Sequence, residues 1–250
     1  MTDTTTTGRT HVRGSLNRDR VLHGAIEFAD REGIEPLTIR RLADHLGVKP
    51  MTIYHYVANK EAIIDGMIDL VFDEVERPPT DGAWRAGIRA RAVSLRAVLR
   101  RHPWATPLME SRTNPGASTL GHHDALIACW YRSGLSLQLI AHGLAVVDAF
   151  VYGFALQENT LPFGDQQGDL TEAAEEIILP IPSGEHPHIV RFTQEHVLQP
   201  GYDFGRSFEF GLDLILDGLE AAGTREAAGT REAAGAREAA GTREAAGGER

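Results

Sequence analysis

The chain has 250 residues, with 35 Asp or Glu against 25 Lys or Arg and a formal net charge of −10. This length allows one large or two modest domains, each with its own hydrophobic core. The N-terminus has no apolar segment typical of secretion, and a single cysteine, Cys129, excludes an internal disulfide. We therefore expect a cytoplasmic protein in which Cys129 is a small core residue.

The charge is unevenly distributed along the chain. Residues 1–60 contain nine Lys or Arg and seven Asp or Glu, whereas the remaining residues carry a net charge of about −12. An acidic body repels nucleic acid, and a mildly basic head does not. Any contact with a polyanion is therefore expected through the first 60 residues.

The N-terminal 60 residues divide into an arm and a small helical domain. Residues 1–14 are rich in Thr and then basic, which predicts a mobile arm, and 15–60 are expected to form a domain that starts with a helix over about 16–32. In residues 37–60, Thr38 is a good N-cap and Gly47 is suited to end the helix that follows. Pro50 then fits the first turn of another helix. This spacing predicts two helices joined by a sharp turn.

The second of these helices, predicted over about 50–56, is unusual in its side chains. Only Ile53 and Val57 are clearly apolar, while hydroxyl and aromatic groups fill most of the other positions. A short helix that projects such groups outward suits insertion into a DNA groove better than core packing. The segment therefore predicts DNA binding, with an ordinary helical hairpin as the alternative.

The rest of the chain has an all-α pattern with no convincing strand. Residues 61–82 are expected to form a connecting helix and a Pro- and Gly-containing linker, and 83–222 a second helical domain. Its helices are predicted over 84–100, 117–131, 135–157, 188–198 and 204–222, with a long irregular loop over 159–187. Residues 223–250 repeat GTREAA and lack large apolar side chains, so a low-complexity disordered or partly helical tail is expected.

One apolar stretch, residues 137–156, is long enough to span a bilayer. However, His142 and Asp148 lie near its middle, and a central carboxylate is costly in hydrocarbon. A helix buried in a bundle and a subunit interface explains the pattern better, so no contact with a membrane is expected.

The run from 37 to 60, LT-x-R-x-LA-x-x-LGV-x-x-x-T-x-Y-x-Y-V-x-NK, resembles the DNA-binding domain of the TetR family of bacterial transcriptional regulators. The resemblance covers about residues 18–70 and implies a helix-turn-helix domain in an all-α protein. It implies contact with double-stranded DNA from the second and third helices and a phosphate contact at the start of the fourth. The DNA-binding residues implied are Arg40, Lys49, Pro50, Met51, Thr52, Tyr54, His55, Tyr56 and Lys60.

Among these residues, Arg40 is the strongest candidate for reading a base, because Arg makes bidentate bonds to guanine. Lys60 combines a cation with the N–H groups of a helix start, which together form an anion site. Met51 has the alternative of packing against the turn, and the neighbouring Arg41 is expected to pair with a carboxylate. Because one such motif reads only a few base pairs, we expect a homodimer on a palindromic operator, assembled through 135–157 and 204–222.

The second domain, over about 84–158, resembles the tetracycline-repressor subgroup, which implies a pocket for a small-molecule effector. The candidate effector-binding residues are Trp104, Leu108, Met109, Arg112, Trp130, Tyr131, His142, Asp148 and Phe150. Core packing is an equally good explanation for each aromatic residue. The histidine and glutamate that bind magnesium in the founding repressor correspond here to Leu108 or Met109 and to Gln157 or Glu158. Apolar side chains cannot bind a hard cation, so a larger or more apolar organic effector is expected.

Neither a cofactor nor a metal site is expected, and no catalytic motif is present. The sequence Glu185-His186-Pro187-His188 contains a proline, and His122-His123-Asp124 places adjacent side chains on different helix faces. We therefore expect a ligand-released repressor rather than an enzyme. The alternatives are an activator, a regulator controlled by a protein partner, and a ligand-binding or hydrolytic protein with a vestigial head.

Overall fold

The computed structural model describes residues 16–109, 111, 115–160 and 185–247, and the elements found in these ranges are helical. The N-terminal arm predicted over 1–14, most of the loop predicted over 159–187, and Arg112 lie outside the described residues. The all-α fold class expected from the sequence is confirmed.

Three helices form the N-terminal head: α1 (Arg18–Glu32), α2 (Ile39–Leu46) and α3 (Pro50–Ile53). Thr38 caps α2, since its hydroxyl oxygen accepts a hydrogen bond from the Arg41 N–H at 3.2 Å. Gly47 then adopts φ 67° and ψ 35°, a left-handed conformation that suits glycine and turns the chain toward α3. The sharp turn predicted from the sequence is therefore present.

The third helix is shorter than the predicted 50–56, because it ends at Ile53. After Ile53 the bonds change to the tighter i→i−3 type, from the His55 N–H to the Thr52 carbonyl and from the Tyr56 N–H to the Ile53 carbonyl, and Asn59 already caps the next helix. A one-turn helix gains too few i→i−4 bonds to propagate through these turns. Tyr54, His55 and Tyr56 therefore lie in the turn that follows α3.

Helix α4 (Lys60–Asp73) connects the head to the rest of the chain. Its apolar stripe is buried, and Gly66 lies so close to Leu22 on α1 that an added Cβ would come within 2.7 Å of a Leu22 methyl group. Close packing at this point fixes the direction of α4 relative to the head.

The body contains α5 (Trp84–Arg101), a 3₁₀ turn (Pro103–Ala105), α6 (Thr106–Met109), α7 (Ala117–Tyr131) and α8 (Leu137–Thr160). After the gap follow α9 (Pro187–Phe192), a π turn (Thr193–Val197) and α10 (Arg206–Gly247). Helix α5 packs against both α7 and α8, and α8 also packs against α10. This arrangement places α5 in the interior of the body.

Helix α10 differs from the prediction at its C-terminal end. The last packed helix was expected over 204–222, with a disordered or partly helical tail beyond it, whereas one helix continues through the GTREAA repeats to Gly247. Most residues of each repeat are strong helix formers, namely Ala, Arg and Glu. Because the packed first half of α10 already supplies the helix nucleus, extension into the repeats requires no new nucleation.

Helix α8 has the length and hydropathy of a membrane span, yet only part of its surface is covered within the chain. One face packs into the body through Val147, Val151 and Ala155, which are buried. Asp148 binds the buried Arg91 from this helix, which fits the expected role in a bundle.

Candidate DNA interface and effector region

The segment from Met51 to Tyr56 presents its side chains outward from the head. Met51 is 70% exposed and Tyr54 is 48% exposed, whereas Ile53 is fully buried and Val57 nearly so. The two apolar residues therefore anchor the segment and leave the others available to a ligand. Met51 does not pack against the turn, which removes the alternative role considered for it.

The other predicted DNA-binding residues surround this segment. Arg40, Lys49, Pro50 and His55 are exposed, and Thr52 and Lys60 are half-buried. Lys60 begins α4 directly after Asn59, whose side-chain oxygen accepts from the Ala62 N–H at 2.8 Å. The exposed surface thus combines two lysines with aromatic and hydroxyl groups, as a DNA interface requires.

Arg41 has a different role from its neighbour Arg40. Its guanidinium binds the Glu32 carboxylate at 2.5 Å and lies 5.1 Å from the centre of the Phe28 ring. The expectation that Arg41 pairs with a carboxylate is confirmed, and this contact ties α2 to α1.

The predicted effector residues do not form one cluster. Trp130 and Met109 are buried, Leu108 is half-buried, and Phe150 stacks on Phe208 with ring centres 5.4 Å apart. Tyr131, proposed as a pocket wall, and His142, proposed as a polar contact, are in contrast exposed on the single chain. Both lie on helix faces that point away from the body core, a distinction that apolar composition alone does not make.

Trp104 joins the body to the head. Its indole N–H donates to the Asp30 carboxylate on α1 at 2.6 Å, and His102 Nδ1 lies 2.7 Å from the same oxygen. His102 Nε2 also lies 3.3 Å from Glu74 at the end of α4. Burial alone raises the pKa of Glu74, but hydrogen bonds and charge from Arg101 and His102 outweigh it and lower the pKa. Trp104 thus belongs to a polar joint between the two domains.

The most buried polar cluster contains two residues that the sequence reasoning missed as effector candidates, Arg91 on α5 and His122 on α7. They are 1% and 0% exposed. Arg91 Nε donates to His122 Nε2 at 3.2 Å, and Arg91 Nη1 donates to the Asp148 carboxylate on α8. The sequence signal that could have revealed the cluster is Arg91 itself, because it lies at helical spacing between Ile88 and Leu95 on an apolar face.

His122 is held in its neutral form by its surroundings. Burial, with the positive charge of Arg91 as the next cause, lowers the pKa of His122 to about 4. In the unfolded chain the same group titrates near its ordinary value of 6.5.

This difference predicts a pH dependence of stability. As the pH falls below about 6.5, the unfolded chain binds a proton at His122 and the folded chain does not, so folding stability is lost down to about pH 4. Between pH 7.5 and 5 the wild type should lose roughly 2 kcal/mol more than His122→Gln, which cannot titrate. Urea unfolding of both proteins at the two pH values measures this, and equal losses would contradict the assignment.

Helix α7 is bonded directly to α4. The Asp69 carboxylate on α4 accepts from the backbone N–H of Thr119 at 2.8 Å and from its hydroxyl at 2.9 Å, so α4 caps the first turn of α7. One turn later, the His122 ring lies 5.7 Å from the Phe72 ring of α4. The helix that begins at Lys60 therefore contacts the helix that carries His122.

Glu158, the oxygen ligand considered for a magnesium ion, is already engaged. Arg96 donates from both Nε and Nη2 to its two carboxylate oxygens, and the same guanidinium lies 4.7 Å from the centre of the Phe208 ring. In the described ranges, no group of three or more metal-ligating side chains is present. Binding of a hard cation would require Glu158 to leave Arg96.

Large apolar side chains remain exposed on α8 and α10. On α10 they are Phe210 and Leu214, which point away from the buried Phe208 and Leu212. On α8 they include Val146 and Leu156, and the exposed His142 lies one turn from Val146 on the same face. Clusters of exposed apolar side chains mark interaction surfaces, and these lie on the two helices expected to dimerise.

An all-helical body joined to a head with an exposed recognition segment defines a helix-turn-helix DNA-binding regulator. Comparison with known proteins identifies the family of this regulator. Residues 21–67 match the sequence model of bacterial regulatory proteins of the tetR family, and 78–222 match that of the tetracyclin repressor-like C-terminal domain. The chain belongs to the TetR family, as the motif in 37–60 indicated.

Relatives match most of this chain. The HTH-type transcriptional repressor DrrR1 of Streptomyces coeruleorubidus is 34% identical, with 86% of this chain and 82% of that protein covered. The tetracycline repressor class C of Escherichia coli is 28% identical over 82% of this chain and 91% of its own length. The structure of ActR from Streptomyces coelicolor in complex with actinorhodin is 26% identical, covers 84% of this chain and 99% of ActR, and has a TM-score of 0.66.

Proposed function

We propose that the chain is a dimeric transcriptional repressor that binds a palindromic operator and is released by a small organic effector. The observation that carries this proposal is the outward projection of Met51, Tyr54, His55 and Tyr56 from a segment anchored by buried apolar residues. The repressor relatives, and the complex of ActR with actinorhodin, support the same function.

The head contacts DNA in two ways. Lys60, with the N–H groups at the start of α4, binds backbone phosphate, and the hydroxyls of Tyr54 and Tyr56 donate to neighbouring phosphate oxygens. Arg40 reaches base edges from the start of α2. Lys49, Pro50, Met51, Thr52 and His55 face the major groove from α3 and the turn after it.

The body transmits effector binding to the head through α4. Asp69 and Phe72 of α4 contact α7, and Lys60 at the start of α4 faces DNA. The contacts at Asp30 are a second route, because Trp104 and His102 of the body bind this residue of α1. To move the population from 99% to 1% DNA-competent, an effector must prefer the released state about 10⁴-fold.

A mobility-shift assay with DNA from upstream of the chain's own gene tests whether the chain binds an operator. The expected result is a sequence-selective complex that weakens steeply as salt rises, because bound lysines displace counterions from phosphate. Absence of any selective, salt-sensitive complex would leave only the vestigial-head alternative.

The same assay tests release by an effector, with a compound that dissociates the wild type from DNA. Asp69→Ala removes both bonds to Thr119 and should keep operator affinity but reduce the release by the compound. Asp73→Ala is the matched control, because this carboxylate, one turn later on α4, pairs only with the exposed Arg77 among the contacts described. Equal release of the Asp69→Ala and Asp73→Ala variants would contradict transmission through this junction.

A further inference from the structure

We infer that Arg91 and His122 form an effector-binding pair of residues, each with a free hydrogen-bond donor that takes a neutral acceptor oxygen, such as that of a ketone, quinone, lactone or amide carbonyl. This inference rests on the proposed function, since it names the chemistry of the effector. It adds two residues that composition did not single out for this role.

The direction of one hydrogen bond fixes which ring nitrogen of His122 carries the hydrogen. The Arg91 guanidinium can only donate, so its Nε–H donates to His122 Nε2, which must accept. A neutral imidazole that accepts at Nε2 carries its hydrogen on Nδ1. The low pKa of His122 agrees with this neutral form, because burial and the nearby Arg91 charge disfavour protonation.

Two donors of this pair have nothing to donate to within the described part of the chain. His122 Nδ1 and Arg91 Nη2 are both buried and lack a hydrogen-bond acceptor among the described residues. A buried donor without an acceptor costs free energy, so such groups in a folded protein need an explanation. With Nε2 facing Arg91, the Nδ1–H points out of the opposite side of the imidazole ring, so each of the two donors needs its own acceptor atom.

The charge around the pair favours a neutral oxygen over a carboxylate. Arg91 is already compensated by Asp148, to which its Nη1 donates, and His122 is uncharged. A carboxylate would bring a second negative charge into this buried site without its own cation, which is costly. A carbonyl oxygen accepts a hydrogen bond from either donor without that penalty.

The position of the pair connects the acceptor to DNA release. Arg91, His122 and Asp148 come from α5, α7 and α8, and the His122 ring contacts Phe72 of α4. An oxygen bound at His122 Nδ1 therefore acts through this ring contact on the helix that starts at Lys60. The aromatic ring beside the pair also suits an effector with a flat apolar body.

Two probes of nearly equal shape test the inference: acetophenone, which has a carbonyl oxygen, and α-methylstyrene, which has a methylene group in its place. Calorimetry or ligand-observed NMR on the full-length chain measures their binding. One buried donor satisfied by the carbonyl should make acetophenone bind about tenfold tighter or more than α-methylstyrene. Equal affinities, or no saturable binding of acetophenone, would overturn the inference.

Two variants and a spectroscopic readout make the test specific. His122→Gln keeps both an acceptor for Arg91 Nε and a donor, so it should keep the preference for acetophenone, whereas His122→Leu should lose it. In the wild type, the infrared carbonyl stretch of bound acetophenone should lie below its frequency in hydrocarbon solvent, a measurement that does not depend on a folded variant. An unshifted stretch, or tighter binding of benzoate than of acetophenone, would contradict a neutral acceptor.

The operator-binding assay on the same wild-type protein separates the two conclusions. If the chain binds DNA selectively but does not distinguish acetophenone from α-methylstyrene, the donor pair is wrong and the proposed function stands. If the carbonyl preference is found without selective DNA binding, the proposed repressor function is wrong.

Discussion

The double variant Phe210→Glu/Leu214→Glu should be monomeric and should bind the operator roughly a thousandfold more weakly than the wild type. Both side chains lie on the exposed face of α10, opposite the buried Phe208 and Leu212. Charges on this apolar face would be desolvated in a dimer, which is costly. Without a dimer the second half-site no longer binds at high effective concentration, a gain commonly of 10²–10⁴. Sedimentation equilibrium and fluorescence anisotropy on an operator duplex measure the two effects.

Leu120→Glu provides the control for this prediction. Leu120 is 57% exposed on α7 and Leu214 is 56% exposed on α10, so the two changes add a charge at equally exposed positions. Leu120→Glu should stay dimeric and bind DNA normally. If the α10 variant remained a dimer with unchanged operator affinity, the assigned dimer surface would be wrong.

The variant Lys60→Ala should bind every DNA sequence about tenfold to a hundredfold more weakly. Each dimer loses two charge-assisted contacts to phosphate at the start of α4. Because the lost contact is to the backbone, the preference for the operator over other DNA should change little. The slope of log affinity against log salt should become shallower by about two for the dimer. Anisotropy titrations at several salt concentrations give both quantities.

Arg191→Ala is the matched control, because it also removes one surface cation per subunit. Arg191 lies on α9 and pairs with Glu195 at 2.8 Å. Its loss should change neither the affinity nor the salt slope. An unchanged salt slope in Lys60→Ala would mean that this residue does not bind phosphate.

The sequence predicted the head better than the body, and the reason is the range of the interactions involved. Thr38, Gly47, Pro50 and Asn59 act through bonds to residues within a few positions, so their identities indicate where helices begin and end. Helix α7 begins and ends at the predicted residues for a similar reason, since turn sequences flank it. The end of α3 was misplaced because i→i−3 turn bonds, donated by His55 and Tyr56, replace the α-helical pattern after a helix of one turn.

The effector region depends on contacts between distant residues, which periodicity does not reveal. Trp104 was predicted to line a pocket, yet it donates to Asp30, 74 residues earlier. The Arg91–His122–Asp148 cluster joins three helices, and only Asp148 had been proposed. His142 lies on the exposed face of α8, which belongs to the expected dimer surface rather than to an interior pocket. Apolar composition indicates that a helix is packed but not which face meets which neighbour.

The length of the C-terminal helix shows a related limit of prediction from composition. A repeat without large apolar residues cannot build a core, which correctly argues against a further domain. It does not exclude helix, because α10 is already formed where Phe208, Leu212 and Leu216 pack into the body. Residues with high helix propensity extend an existing helix at little cost.

Selection of bound duplexes from a random DNA pool by the purified chain tests most directly whether the segment from Met51 to Tyr56 reads DNA. The wild type should enrich one two-fold symmetric sequence, with half-site centres about 34–36 Å apart or a similar turn-matched spacing. The variant Thr52→Ala/Tyr54→Ala/His55→Ala should fail to enrich it. Enrichment of no common sequence by the wild type, or of the same palindrome by the triple variant, would mean that this segment does not read DNA.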